Sequence, residues 1–107
     1  MSKRRVVITG LGWVTSLGTN VEQVWAKLLA GTSGIKPITR FDTTNYKTTF
    51  GGQVADWDGP PNFDEIERKK LAKNLDRFAQ FALNASVDAV TDSGLDFAKE
   101  DPWRCGV

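Results

Sequence analysis

The run Arg-Val-Val-Ile-Thr-Gly at residues 5–10 places the strongest limit on what this chain can fold into. Consecutive β-branched apolar residues that do not alternate with polar ones are typical of a strand buried on both faces of a sheet. Such a strand needs other elements packed on each side of its sheet. The run therefore predicts a central strand of an α/β protein.

A turn and a helix are predicted to follow this strand. Closely spaced glycines in residues 10–18 indicate the turn, and Thr19 and Glu22 have the spacing of a capping box at a helix start. Gly31 predicts the end of that helix. The apolar residues between these signals recur at helical spacing and predict one buried face, formed by Val21, Val24, Trp25 and Leu28.

The middle of the chain has weaker signals. Residues 31–45 have the composition of a loop, and residues 46–54 predict a short extended segment interrupted by Gly51 and Gly52. Residues 55–62 contain a glycine followed by two prolines and predict a surface loop.

A long helix is predicted from Ala72 to a stop at Gly94, which is followed by the apolar Leu95 as in a Schellman cap. After Pro102, residues 103–107 are interpreted as the start of a second strand. Since the sequence stops inside this element, we expect the chain to be a piece of a longer protein. The apolar stripe expected to face the core of the long helix is Leu75, Phe78, Ala79, Ala82, Ala89 and Val90.

Composition excludes several classes of protein. The chain has 107 residues, 14 Lys and Arg against 13 Asp and Glu, one cysteine and no histidine. It holds at most one domain, its near-zero net charge gives no reason to expect a nucleic acid partner, and one copy can form neither an internal disulfide nor a histidine-containing zinc site. Without a long apolar stretch or a secretory leader, we expect a cytoplasmic protein with no membrane contact.

The glycine turn and the single cysteine are both candidate sites, and both are interpreted as structural. Residues 10–15 resemble the start of a dinucleotide-binding loop, but Thr15 stands where the third glycine is required, which favours a purely structural turn. Cys105 has no histidine to activate it, so we expect a buried structural cysteine. The tryptophans are expected to be core and loop anchors: Trp13, Trp25, Trp57 and Trp103.

The basic residues Arg68, Lys69, Lys70 and Lys73 form a patch with no acidic residue among them. Two interpretations stay open from the residues alone. Charge runs usually form the solvated end of a helix. The patch is also predicted at the start of the long helix, where the helix dipole disfavours cations, and that placement favours recruitment of an acidic partner.

The order of several short motifs resembles the N-terminal part of the β-ketoacyl-[acyl-carrier-protein] synthases, and within them the bacterial elongating type II enzymes. The motifs occupy residues 4–12, 28–35, 41–42 and 92–95. The resemblance covers essentially the whole chain and implies that residues 1–107 are part of a synthase N-terminal domain. The implied fold is α/β and thiolase-like, an incomplete mixed sheet with flanking helices, in which residues 6–10 and a strand starting at Arg104 share one five-stranded layer.

The resemblance implies a decarboxylative Claisen condensation that elongates acyl chains on acyl carrier protein. The family uses a cysteine and two histidines that match nothing in this chain, so no catalytic residue, metal or cofactor is expected here. The family's basic cluster for the carrier protein matches at Lys70 and Lys73, whereas its third position is Asn74. Arg68 and Lys69 add charge to the same patch, and carrier docking becomes the favoured interpretation.

The resemblance also implies a homodimer at full length. An alternative is a catalytically inactive homologue, such as a chain-length factor of a polyketide pathway. A third possibility is an unrelated small α/β binding module, which requires that the 107 residues fold cooperatively alone.

Overall fold

A computed structural model describes residues 3–55, 57–61 and 63–107. Within these ranges no helix combines the length and the apolar character that a membrane crossing requires. The elements are, in chain order, α1 (Val21–Leu29), β1 (Ile35–Pro37), β2 (Phe50–Gly52), α2 (Glu65–Asn74), α3 (Arg77–Ser93) and two single 3₁₀ turns, Phe97–Lys99 and Pro102–Arg104.

Helix α1 forms where the sequence predicts it, with its first cap shifted by one residue. Asn20, not Thr19, is the N-cap, because its side-chain oxygen accepts a hydrogen bond from the Gln23 amide at 3.1 Å. The predicted stop at Gly31 is confirmed by its φ of 69°. The amide of Thr32 donates to the Lys27 carbonyl at 2.9 Å, which closes a Schellman cap.

Strands β1 and β2 form an antiparallel hairpin, with Ile35 opposite Gly52 and Pro37 opposite Phe50. Strand β2 lies in the predicted extended segment, whereas β1 lies in residues predicted as loop, so that part of the prediction is wrong. The side chain of Gln53 forms hydrogen bonds to the last residue of β1 and to the first part of the connection that follows it. Its oxygen accepts from the amides of Thr39 and Arg40, and its amide donates to the Pro37 carbonyl at 3.1 Å.

The predicted strand at residues 5–10 is absent from the described structure. A strand exists only through ladder hydrogen bonds to a neighbour, and no described segment pairs with these residues. Val6 and Ile8 are 91% and 83% exposed. The strand expected at residues 103–107 is also wrong, because Pro102–Arg104 forms a 3₁₀ turn and the residues after it are exposed. The described residues therefore form no mixed sheet.

The long helix predicted from Ala72 is two helices. Leu75 and Asp76 have extended backbone, with ψ angles of 137° and 155°, and separate α2 from α3. The carbonyl of Leu75, left without a helical partner, accepts from the Gln80 side chain at 2.9 Å. At the other end, the predicted stop at Gly94 is confirmed by its φ of 67°.

The face of α3 that packs is rotated from the predicted apolar stripe. Phe78 is 73% exposed, whereas Asn84, outside the stripe, is 1% exposed. Burying an amide is tolerated because its polar atoms are satisfied. The Asn84 oxygen lies 3.4 Å from the indole nitrogen of Trp57, which donates to it, and its nitrogen donates to Asp88 at 2.7 Å.

The segment at residues 55–62 is more buried than the predicted surface loop. Trp57 is 9% exposed and Pro60 is fully buried, so this prediction is wrong for the centre of the segment; Asp56 and Asn62 lie outside the described residues. Trp57 confirms the anchor role predicted for tryptophans. Trp25 and Trp103 do not, since they are 55% and 96% exposed.

The Arg77 side chain packs against the aromatic rings of Trp57 and Phe81. The Arg77 guanidinium lies 5.4 Å from the Trp57 ring centroid and 5.3 Å from that of Phe81, and it donates to the Val54 carbonyl at 2.8 Å. Partial burial lowers the pKa of Arg77, and the nearby positive charge of Arg40 lowers this pKa further. The group keeps its charge, since arginine is not deprotonated in proteins.

The surface of the chain is large for its mass. Its accessible area is 9128 Å², against about 5,900 Å² for a compact protein of this mass. Its radius of gyration is 17.5 Å, against about 13 Å for a compact domain. Much of its apolar surface is therefore unburied, as Val6 and Ile8 illustrate.

We predict that the isolated chain is poorly soluble and melts without a cooperative transition, because burial this limited cannot offset the conformational entropy lost on folding. Differential scanning calorimetry of the monomer checks this. A sharp two-state peak would contradict the prediction and would favour the small binding module.

Candidate functional site

Helix α2 carries the whole basic patch and is capped at both ends. The Asp64 side chain accepts from the Glu67 amide at 2.8 Å, and the Glu67 side chain accepts from the Asp64 amide at 3.1 Å. This capping box starts the helix, and the spacing of Asp64 and Glu67 is a sequence signal that would have predicted it. The Leu75 amide donates to the Leu71 carbonyl at the other end.

The position of the patch contradicts the expectation that the helix dipole disfavours its cations. The residues occupy the second and third turns of a separate helix, not the start of the long one, and Lys73 lies in the last turn. A cation there is favoured by the helix dipole. Lys73 therefore has a stabilising role in the helix as well, and the dipole gives no support for partner binding.

Arg68 is turned toward the body of the chain. Its Nε donates to the Phe63 carbonyl at 2.9 Å, and its guanidinium lies 3.7 Å from the Asp58 carboxylate. Its methylene groups lie against Gly59, where a Cβ would come within 3.0 Å of them. The side chain is only 32% exposed. Arg68 thus fastens α2 to the loop before it and presents little charge to a partner.

Lys69 is exposed but paired. Its amine lies 2.6 Å from the Glu65 carboxylate, one helical turn earlier. An exposed pair of this kind contributes about 0.3–0.5 kcal/mol and is screened by salt. The local charge of Lys69 is thereby largely neutralised.

Lys70 and Lys73 remain as the outward charges of the patch. Both are exposed, and no carboxylate of the described residues lies within ion-pair distance of either amine. They are three positions apart and so lie on one face of α2. The structure brings together the two residues that the resemblance selects, and separates them from Arg68.

A shallow groove runs beside Lys70 between α2 and α3. Its volume is about 340 Å³, and its lining combines apolar and polar side chains: Phe63, Glu67, Lys70, Leu71, Asn74 and Leu83. Asn74, at the position where the resemblance implies a third basic residue, lies in this wall. A partner bound at Lys70 would therefore also contact the side chains that line this groove.

The glycine turn is structural, as predicted. Gly12 packs directly on the α3 backbone, where a Cβ would lie 2.8 Å from the Ala89 nitrogen and closer still to the Ala85 carbonyl oxygen. The amide of Leu11 donates to the Asp92 carboxylate at 2.9 Å. A phosphate would have to displace that carboxylate, so the glycines serve close packing and not anion binding.

Cys105 is exposed, so the prediction of a buried cysteine is wrong. Its thiol follows the last 3₁₀ turn and makes a long contact of 3.4 Å to the Asp101 carbonyl. No strand buries it among the described residues. The sequence contains no histidine that could act as a base beside this thiol, and no contact among the described residues makes Cys105 a nucleophile.

Comparison with known proteins places this arrangement in a family. The family model "Beta-ketoacyl synthase, N-terminal domain" matches residues 3–107. The chain belongs to the β-ketoacyl synthase family. This membership supports the predicted thiolase-like fold, of which the described structure contains helices and one two-stranded sheet.

Individual relatives agree with the family match. The chain is 45% identical over all 107 residues to the 3-oxoacyl-[acyl-carrier-protein] synthase 2 of Vibrio cholerae and covers 25% of that protein. It is 38% identical over 104 residues, 97% of the chain, to the enzyme of the same name from Staphylococcus aureus, of which it covers 24%. The chain thus spans about a quarter of the length of these relatives.

A solved structure is also similar. "The ishigamide ketosynthase/chain length factor" matches with a TM-score of 0.70 and 36% sequence identity. The match covers 91% of this chain and 23% of that one. The arrangement of elements described above is therefore shared with a solved structure of a ketosynthase/chain length factor.

Proposed function

We propose that this chain is the opening segment of a condensing enzyme that elongates acyl chains on acyl carrier protein. The observation that carries the proposal is the 45% identity over all 107 residues to a 3-oxoacyl-[acyl-carrier-protein] synthase 2. The reaction is a decarboxylative Claisen condensation. A cysteine thiol takes the acyl chain from its carrier protein, whose own thiol is released. Malonyl-carrier protein then loses carbon dioxide, and the resulting carbanion attacks the acyl thioester and expels the cysteine thiolate.

This segment binds the carrier protein and supplies no catalytic residue. It holds no histidine, and its one thiol, Cys105, is exposed after a 3₁₀ turn with no activating base. Lys70 and Lys73 form the landing site for the acidic carrier protein. Charge on one exposed helix face raises the rate at which an oppositely charged partner arrives in the right orientation.

The apolar residues exposed at the start of the chain fit the same proposal. Val6, Val7 and Ile8 are 91%, 67% and 83% exposed, and their β-branched side chains suit a strand that is covered on both faces. In the complete synthase they form a strand of the mixed sheet of a thiolase-like fold. That synthase is a cytoplasmic homodimer that works without a redox cofactor.

A second candidate is a catalytically inactive synthase homologue that shapes the product, such as a chain-length factor. The similarity to a ketosynthase/chain length factor structure favours it. The two candidates share this segment and differ at the nucleophile, which lies outside it.

An assay of condensation separates these functions. The complete protein is expected to convert acyl- and malonyl-carrier protein into 3-oxoacyl-carrier protein, detected by mass spectrometry. The 107-residue chain is expected to give no product. If the complete protein forms no product although it binds both carrier proteins, the inactive homologue is correct. If product forms with the chain alone and depends on Cys105, the assignment of chemistry outside this segment is wrong.

A further inference from the structure

Helix α2 is held by few contacts, although it carries both outward lysines of the patch. None of its ten residues, all of which the structure describes, is buried, and two are half-buried, Arg68 and Leu71. A helix this short is marginal in water without tertiary contacts. It does not continue into α3, because Leu75 and Asp76 between the two helices have extended backbone. The direction in which α2 points therefore depends on what Arg68 and Leu71 contact.

The contacts of these two residues differ in kind. Leu71 lines the groove between α2 and α3 together with Leu83, and apolar packing has no preferred direction. Arg68 makes a hydrogen bond, whose strength depends on its geometry, since its Nε donates to the Phe63 carbonyl at 2.9 Å. Its guanidinium also lies 3.7 Å from the Asp58 carboxylate. Of the two, the arginine makes the contacts that restrain rotation of α2.

The loop that Arg68 contacts is itself anchored on α3. Trp57 is buried, and its indole nitrogen donates to Asn84 of α3 at 3.4 Å. Pro60 is fully buried, and its carbonyl accepts from the Phe63 amide at 3.2 Å. A side chain of α2 that holds this loop is therefore also held relative to α3.

A glycine in the loop makes room for the arginine stem. Gly59 is buried and has a φ of 126°, in the region that favours glycine. A Cβ on Gly59 would come within 3.0 Å of the Cγ and Cδ atoms of Arg68. The stem thus crosses the loop backbone at a position without a side chain. The contact consequently involves the shape of the arginine as well as its charge.

We propose that Arg68 is the positioning residue of the docking site: by linking α2 to the loop anchored on α3, it directs Lys70 and Lys73 toward the carrier protein. The inference rests on the proposed function, since it takes these two lysines as the residues that bind the carrier protein. Arg68 acts through geometry, because its own guanidinium faces the chain beside Asp58 and its side chain is only 32% exposed. A change at Arg68 therefore matters only while both lysines are present.

The experiment compares variants of the complete synthase: Arg68→Met, Arg68→Lys, Lys70→Gln/Lys73→Gln, and the triple variant that adds Arg68→Met to the two lysine changes. Methionine and lysine have helix propensities close to that of arginine, so α2 is preserved. Methionine cannot donate a hydrogen bond, whereas lysine keeps the charge but lacks the planar fork of arginine.

The control is Lys47→Met, which removes one positive charge from an exposed lysine away from α2. The KM and kcat are measured with acyl-carrier protein and with a substrate analogue that lacks the protein carrier. The melting temperature of each variant is compared with that of the wild type.

We expect Arg68→Met and Arg68→Lys to raise the KM for acyl-carrier protein about threefold, with kcat and the KM for the carrier-free analogue unchanged. Adding Arg68→Met to Lys70→Gln/Lys73→Gln should change the KM little, because a residue that acts through the lysines has no effect without them. Lys47→Met should match the wild type. A role confined to stability would lower the melting temperature and leave the KM as in the wild type.

The failure of this inference is distinguishable from failure of the docking function. If Lys70→Gln/Lys73→Gln raises the KM for acyl-carrier protein and Arg68→Met does not, docking stands and the role of Arg68 is wrong. That role is also wrong if Arg68→Lys has the wild-type KM, because the effect is then one of charge, or if Arg68→Met raises the KM equally with and without the two lysines. If the lysine variant keeps the wild-type KM, the docking function fails and the inference fails with it.

Discussion

Replacement of Gly12 by alanine is expected to lower the stability of the complete synthase by about 3 kcal/mol, the upper part of the range for overpacked sites. A Cβ at this position would overlap the Ala85 carbonyl oxygen and lie 2.8 Å from the Ala89 nitrogen. Both obstacles are backbone atoms in the middle of α3, so no side-chain rotation relieves the overlap. Either the turn or the helix must move.

Gly51→Ala is the matched control, because a Cβ there makes only an ordinary contact, 3.7 Å from the Ile38 side chain. Gly10→Ala should behave like Gly12→Ala, since its Cβ would lie 2.6 Å from the Ser93 nitrogen. Thermal unfolding followed by circular dichroism should show a midpoint lower by several degrees for the two variants near α3. Equal midpoints for Gly12→Ala and Gly51→Ala would show that the turn does not pack on α3.

Reversal of both outward charges, Lys70→Glu/Lys73→Glu, is expected to raise the KM of the complete synthase for acyl-carrier protein about tenfold or more at low salt. Two attractions to an acidic partner become two repulsions, and the main effect is a slower encounter. Raised ionic strength should shrink the difference, because exposed charges are screened beyond about 10 Å at 0.1 M salt.

The control for this prediction is Lys36→Glu/Lys47→Glu, which changes the net charge equally on exposed lysines away from α2. A substrate analogue without the protein carrier gives a second control, since its KM should not change when the lysines of α2 are replaced. Because Lys73→Glu places a negative charge in the last turn of α2, the melting temperature must also be compared. An equal rise in KM for the control pair, or for the carrier-free analogue, would contradict docking at Lys70 and Lys73.

The sequence selects the residues of the candidate site, but it does not show which of their charges face outward. The resemblance selects Lys70 and Lys73, and the structure leaves these two unpaired among the described residues while Arg68 and Lys69 contact Asp58 and Glu65. No sequence signal separates an arginine that packs inward from a lysine that faces water on the same helix. That difference depends on where the loop before α2 lies.

The sequence by itself determined the features set by local interactions. The helix ends at Gly31 and Gly94 follow from the positive φ that glycine adopts without strain, and the order of the motifs identifies the family. A capping side chain or a left-handed residue acts within a few positions of itself. Such signals can be read before anything is known of the rest of the fold.

Only the tertiary structure decided what depends on distant contacts. Residues 5–10 have the composition of a strand, yet they pair with no segment of the described structure. The face of α3 that packs is set by Trp57 and Gly12, far away in sequence, which meet Asn84 and Ala85. Strand pairing and burial each require a second segment, and the composition of one segment does not show whether its partner is in place.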